Sequence, residues 1–154
     1  MINDIIADIK LKVNDHGVYG FTTEELFTTA IENSIHLANV KYLIPCLGQN
    51  YMTSFLNKDK DTLNEHDLLI YWAWVFFSIS IFLEEIGNKE EQIQTAQSNS
   101  RSRGGVSKSS SGRIGKYSAA SKNERWGYKM LSNAGYVRSQ TISRVGIETI
   151  WRSI

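Results

Sequence analysis

Sixteen consecutive residues, Leu68 to Leu83, read LLIYWAWVFFSISIFL, and only Ser78 and Ser80 among them are neither apolar nor aromatic. Such a segment can turn no side to water, so the rest of the chain has to be arranged to cover it. Thr62 and Glu65, three apart just ahead of it, form a capping box, and Gly87 followed by Asn88 makes a stop. The spacing predicts a helix over about 63–86, roughly 36 Å long at about 1.5 Å per residue. As a membrane span the run is short of the usual ~20 residues. Its flanks, Glu65 and Asp67 before and Glu84 and Glu85 after, lack the Lys/Arg bias that orients a span. We read a core helix and no membrane partner. A chain of 154 residues supplies two or three other helices, so part of the cover is expected from other copies of the protein.

One domain, 1–154, is the expectation at this length, with an N-terminal arm over 1–21. Within 1–20 the sequence fits two conformations: Ile9, Leu11 and Val13 alternate as in a strand, while Ile2, Ile5, Ile6 and Ile9 fit helical turns. Thr22 and Glu25 make a second capping box, followed by Phe27, Ile31, Ile35, Ala38 and Tyr42 at helical spacing, which predicts a helix over about 23–43. Pro45 should end or kink it and Gly48 adds a break, with a short helix near 49–56 beyond. Ser121 and Glu124 form a third box, opening a helix expected to run over 120–153. The predicted fold class is all-α: three principal helices, the short one, and a long basic Ser/Gly-rich loop over 98–118.

Formal net charge is +1, but it is unevenly divided. Residues 98–154 hold eleven Lys or Arg against two acids, a balance of +9, while 1–97 hold six against fourteen, a balance of −8. That polarity suits head-to-tail contacts between copies, or a basic face turned to nucleic acid. In the basic loop, Arg101, Arg103, Lys108, Arg113 and Lys116 are candidates for docking onto an acidic neighbour or for contacting phosphates without reading sequence. A plain solvated linker is the third reading.

Reaction chemistry finds little footing. Gly104-Gly105-Val106-Ser107-Lys108-Ser109 has Ser107 where a phosphate loop needs glycine before its lysine. His16, His36 and His66 have no carboxylate or cysteine at ligand spacing, the lone Cys46 has no base nearby, and adjacent Glu84 and Glu85 diverge by about 100° on a helix. We expect no enzyme activity, no metal and no cofactor. No signal peptide is visible in MINDIIADIK, so synthesis is expected in the cytoplasm.

The run from Ala38 to Tyr51, ANVKYLIPCLGQNY, carries a resemblance. It resembles a signature of small head–tail connector proteins of tailed phages, especially those of Bacteroidota, in which a helix ends Lys-Tyr-Ile-Ile-Pro-x-Leu-Gly with a Tyr three residues on. The matching positions are Tyr42, Pro45, Leu47, Gly48 and Tyr51. Similar too are the apolar middle helix, the Gln-rich stretch Gln92-Ile93-Gln94-Thr95-Ala96-Gln97, and Ala120-Ser121-Lys122 opening the last helix. The Arg/Ser/Gly-rich insert is longer and more basic than the pattern. The resemblance implies a structural virion protein made in the host bacterial cytoplasm. It would form a ring of about twelve copies stacked on the portal protein. Another connector or tail protein would lie below, with packaged DNA passing through the lumen without sequence-specific contact. The motif residues would then set the shape of a helix corner. The alternative, read from charge alone, is an intracellular nucleic-acid-binding module using the basic C-terminal half.

Overall fold

A computed structural model describes the backbone of residues 1–14, 16–100, 111–143 and 146–153, and the side chains of 1–14, 16–88 and 118–136. The fold is all-α, with the core carried entirely by helices around one long central rod. That rod, α5 (Glu65–Ser100), contains the apolar run. It is flanked by α1 (Ile2–Val13), α2 (Glu24–Ala38), the short α3 (Ile44–Leu47) and α4 (Gln49–Leu56), and α6 (Ser111–Asn133).

Of the two conformations open to the N-terminus, the helix is the one formed: Ile5, Ile9 and Val13 lie on one face of α1 and are buried. Asp8 joins α1 to the rod, accepting from the Tyr71 hydroxyl at 2.6 Å and the Lys60 amine at 2.8 Å. From α2, Phe27, Ile31, Ile35 and Ala38 are buried, and the Ile35 carbonyl accepts the Trp74 indole N–H at 3.0 Å. On the opposite flank the Ser80 hydroxyl donates to the Ala120 carbonyl of α6 at 2.9 Å, and Gly127 of α6 lies hard against the Phe77 ring.

Self-cover of the rod is more complete than the length of the chain implies. Among the described residues one helix, Glu65–Asn88, is long and apolar enough to cross a membrane, and 72% of its most apolar stretch is buried inside the protein. Within one chain, then, most of the run is already covered. The flanking helices and the Tyr19–Phe21 turn do this, and on the run itself Leu68 stays exposed and Leu69, Trp72 and Phe76 half-buried.

Several element ends differ from expectation. Gly87 does not stop α5, which continues to Ser100, because a single glycine costs only about 1 kcal/mol and the good helix formers Glu84, Glu85, Lys89, Glu90 and Glu91 stand close on either side. The predicted loop 98–118 is shortened at both ends, since α6 already begins at Ser111; residues 101–110 lie outside the described part. The helix expected over 120–153 ends at Asn133. Gly135, at φ +89°, takes the left-handed turn that an L side chain resists, and its N–H bonds the Ser132 carbonyl at 3.0 Å. Beyond it β1 (Tyr136–Ser143) and β2 (Gly146–Ser153) pair antiparallel, Tyr136 opposite Ser153. The β-branched Val137, Thr141, Ile142, Ile147, Thr149 and Ile150 favour extended backbone there over a helical continuation.

Candidate functional site

The corner motif is a joint between helices. After α2 the backbone widens into one π turn, Asn39–Leu43, with the Ile44 N–H bonding the Asn39 carbonyl. The helical path then continues through Ile44, at φ −58° and ψ −44°, so Pro45 does not end it. Pro45 falls in the first turn of α3, where a missing N–H costs nothing. The break comes at Gly48, whose φ of +87° with ψ 150° only glycine adopts readily. Leu47 is half-buried against the core.

Both motif tyrosines reach across to other helices. The Tyr42 ring stacks on Phe77 of α5, centroids 4.1 Å apart and planes 6° apart, and meets Tyr128 of α6 edge-on at 5.9 Å. Its hydroxyl donates to Glu124 Oε1 at 3.1 Å, an oxygen that also accepts from the Tyr128 hydroxyl at 3.4 Å. Burial, with the Glu124 charge behind it, pushes the Tyr42 phenol far above its ordinary range. The Tyr51 hydroxyl donates to Asp67 Oδ1 at 2.6 Å. Asp67 is 4% exposed and also receives the Lys58 amine and its backbone N–H is capped by Asn64 Oδ1 at 2.8 Å. Burial would raise its carboxyl, but the hydrogen bonds from Lys58 and Tyr51 outweigh that and hold it below the usual carboxylate range. The motif thus ties α2 to α5 and α6 at one end, and α4 to the start of α5 at the other. Neither tyrosine is free to meet a ligand.

The basic candidates divide. Arg113 and Lys116 stand in the first two turns of α6, while Arg101, Arg103 and Lys108 lie outside the described residues, as does the whole Gly104–Ser109 stretch. His16, His36 and His66 sit on separate elements, and among the described residues no group of three His, Cys, Asp or Glu could hold a metal. Cys46 is half-buried in α3, and burial pushes its thiol up to about 12. Glu84 and Glu85 edge a groove of about 220 Å³ floored by Leu37, Val40 and Ile81.

Sequence reasoning missed the surface that the open strip makes with its neighbours. Leu68, Trp72 and Phe76 recur one turn apart, and Trp126 of α6 lies on Phe76 with Lys129 over its outer face. The signal was present, since Lys122, Arg125, Trp126 and Lys129 recur at helical spacing, but inside the uniformly apolar run nothing marked which residues would stay open. Compared with known proteins, the chain matches no family model, no curated protein and no solved structure.

Proposed function

We propose that this protein is a structural subunit of the head–tail junction of a tailed phage, a connector that works by assembly and without catalysis. The observation that carries this is the motif Tyr42–Tyr51. A stretch resembling the connector signature lies in the folded chain at a joint, where Gly48 makes the break and Tyr42 and Tyr51 tie the adjoining helices to α5 and α6. A protein whose task is to hold shape under load needs such a corner more than it needs a cleft. The charge division, −8 over residues 1–97 and +9 over 98–154, supplies opposite surfaces for joining copies in a closed series. The portal and a tail-side protein are the other partners of this reading, and DNA passes through without being read.

The test is the composition of particles. Mass spectrometry of purified virions from cells carrying the gene in its phage should find the chain at a fixed, low copy number; its absence overturns the proposal. Changing Arg101, Arg103 and Arg113 together to Ser should leave the isolated subunit's melting temperature unchanged and reduce its incorporation. Normal incorporation would remove those arginines from assembly. The second reading, a nucleic-acid-binding module, is favoured by the exposed Lys122, Arg125 and Lys129 on one side of α6. It requires duplex affinity that falls steeply with salt, roughly as the power of the number of phosphates neutralised.

A further inference from the structure

Two surfaces of the described body are apolar at the centre and opposite in charge at the edge. The first is the open aromatic strip. Trp126 stacks on Phe76 with centroids 6.2 Å apart and planes at 28°, and Leu68 and Trp126 are each 39% exposed. Cations surround it: Lys12 Nζ lies 5.1 Å from the Trp72 ring centre and 5.5 Å from that of Phe76, and Lys129 Nζ lies 4.7 Å from that of Trp126. Lys122 and Arg125 extend the same outer face of α6. Among the described residues none of these four cations takes part in an ion pair.

The second surface is the groove between α2 and α5. Leu37 and Val40, 42% and 50% exposed, line it with Ile81; Glu84 and Glu85 line it too, together with the single cation Lys41, whose amine lies over the Tyr42 ring. On α5 the two surfaces point away from each other. Measured from Phe76, Ile81 and Glu85 diverge by about 140° and 180° around the axis, Glu84 by about 80°, and Glu85 is displaced by about 13 Å along it.

We propose that the aromatic–basic face of one copy docks on the apolar–acidic groove of the next, so that copies join head to tail. This rests on the assembly reading above and names the surfaces it uses. An apolar centre with aromatics and Arg, and a charged edge, is the make-up of a protein interface. Complementary charge at the edge steers encounter and sets register. A two-fold contact of either face with itself would place like charge on like, whereas a head-to-tail contact satisfies both faces at once and repeats around an axis. Nucleic acid suits the first face less well. Base stacking needs open ring faces, and here Lys12 and Lys129 already lie over the rings.

Charge-swap mixing tests the pairing. One variant carries Arg125→Glu with Lys129→Glu, the other Glu84→Lys with Glu85→Lys, all at exposed or half-exposed positions. Sedimentation velocity at about 50 mM salt should show the wild type associating with rising concentration and dispersing at high salt. Each variant alone should lose about 100-fold or more in association, and the equimolar mixture should recover it, because each altered face then meets its altered complement. Should a double reversal unfold, Lys129→Glu and Glu85→Lys singly serve the same design. Wild-type protein that stays monomeric while the mixture does too, variants that associate as well as wild type, or association that nuclease abolishes would each overturn the proposal. A chain present in virions whose association ignores both reversals would keep the connector function and lose these faces.

Discussion

Replacing Gly127 by Ala sets two known effects of opposite sign against each other. Gly127 sits inside α6, where alanine is favoured over glycine by about 1 kcal/mol. A Cβ there would stand 2.6 Å from Phe77 Cε1, 2.7 Å from Cδ1 and 2.8 Å from Cζ, closer than real contacts allow. The ring has nowhere to go: Tyr42 is stacked on it at 4.1 Å and Tyr128 meets it edge-on at 5.1 Å. Overpacking of this kind costs about 1–3 kcal/mol, and a ring confined by two others belongs to the upper part of that range. Net destabilisation should be about 1–2 kcal/mol, lowering the melting temperature by roughly 2–8 °C for a chain of this size. Thermal and urea melts followed by circular dichroism read it directly. In a Phe77→Leu background, where a smaller and more mobile side chain can yield, the penalty should shrink by about 1 kcal/mol or more. A Gly127→Ala variant that melts higher than wild type, as helix propensity alone dictates, would refute the close approach of α6 to α5.

Three further outcomes follow from the core and its polar contacts. Asp67, with a carboxyl held below its unfolded value, contributes stability that is complete above about pH 4 and lost as pH falls through its folded value. Asp67→Asn should therefore flatten the acid limb of the stability–pH curve and cost about 2–3 kcal/mol at pH 7 through its bonds to Lys58 and Tyr51; an unchanged acid limb contradicts this. Cys46, its thiol pushed up to about 12 from an ordinary 9, should react with iodoacetamide at pH 8 at least about tenfold more slowly in the folded protein than in denaturant, the lost thiolate fraction being offset in part by the greater nucleophilicity of a more basic thiolate, and equal rates would show it exposed. Trp74→Asp places a charge at a site 1% exposed and removes the indole bond to Ile35, so the variant should not fold; a cooperative melt from it would mean that the rod is not the core.

The existence of the helices was written in hydrophobic spacing, and their ends were not. Phe27, Ile31, Ile35 and Ala38 marked where α2 begins to within a residue, yet the helix expected to 43 gives way to the π turn after Ala38, its cap is Thr23, whose hydroxyl accepts the Leu26 N–H at 3.3 Å, and the Thr22–Glu25 box is not used. At α5 the cap is Asn64, while Thr62 turns back to donate to the Asp59 carbonyl. Ser121 and Glu124 lie well inside α6, and Glu124 serves Tyr42 and Tyr128. In the first two cases two hydroxyl or amide residues competed within three positions and tertiary packing chose between them, whereas α6 begins at Ser111, ten residues before the box. The hairpin was hidden because Val137, Ile142, Val145 and Ile150 suit either a helix or a strand until Gly135 is seen to turn the chain. As for function, the motif's residues were recognisable, but that Tyr42 and Tyr51 are bound to carboxylates 82 and 16 residues away needed three dimensions. The same holds for the aromatic face, assembled from α1, α5 and α6.

In the proposed function this chain is a building unit repeated around the axis of the head–tail junction. Its most direct test is a cryo-electron microscopy reconstruction of that junction in virions. We predict a closed ring of density into which the α1–α6 body fits, with Trp126 of each copy facing the Leu37–Val40 groove of the next. A junction whose density is fully accounted for by other chains would contradict it.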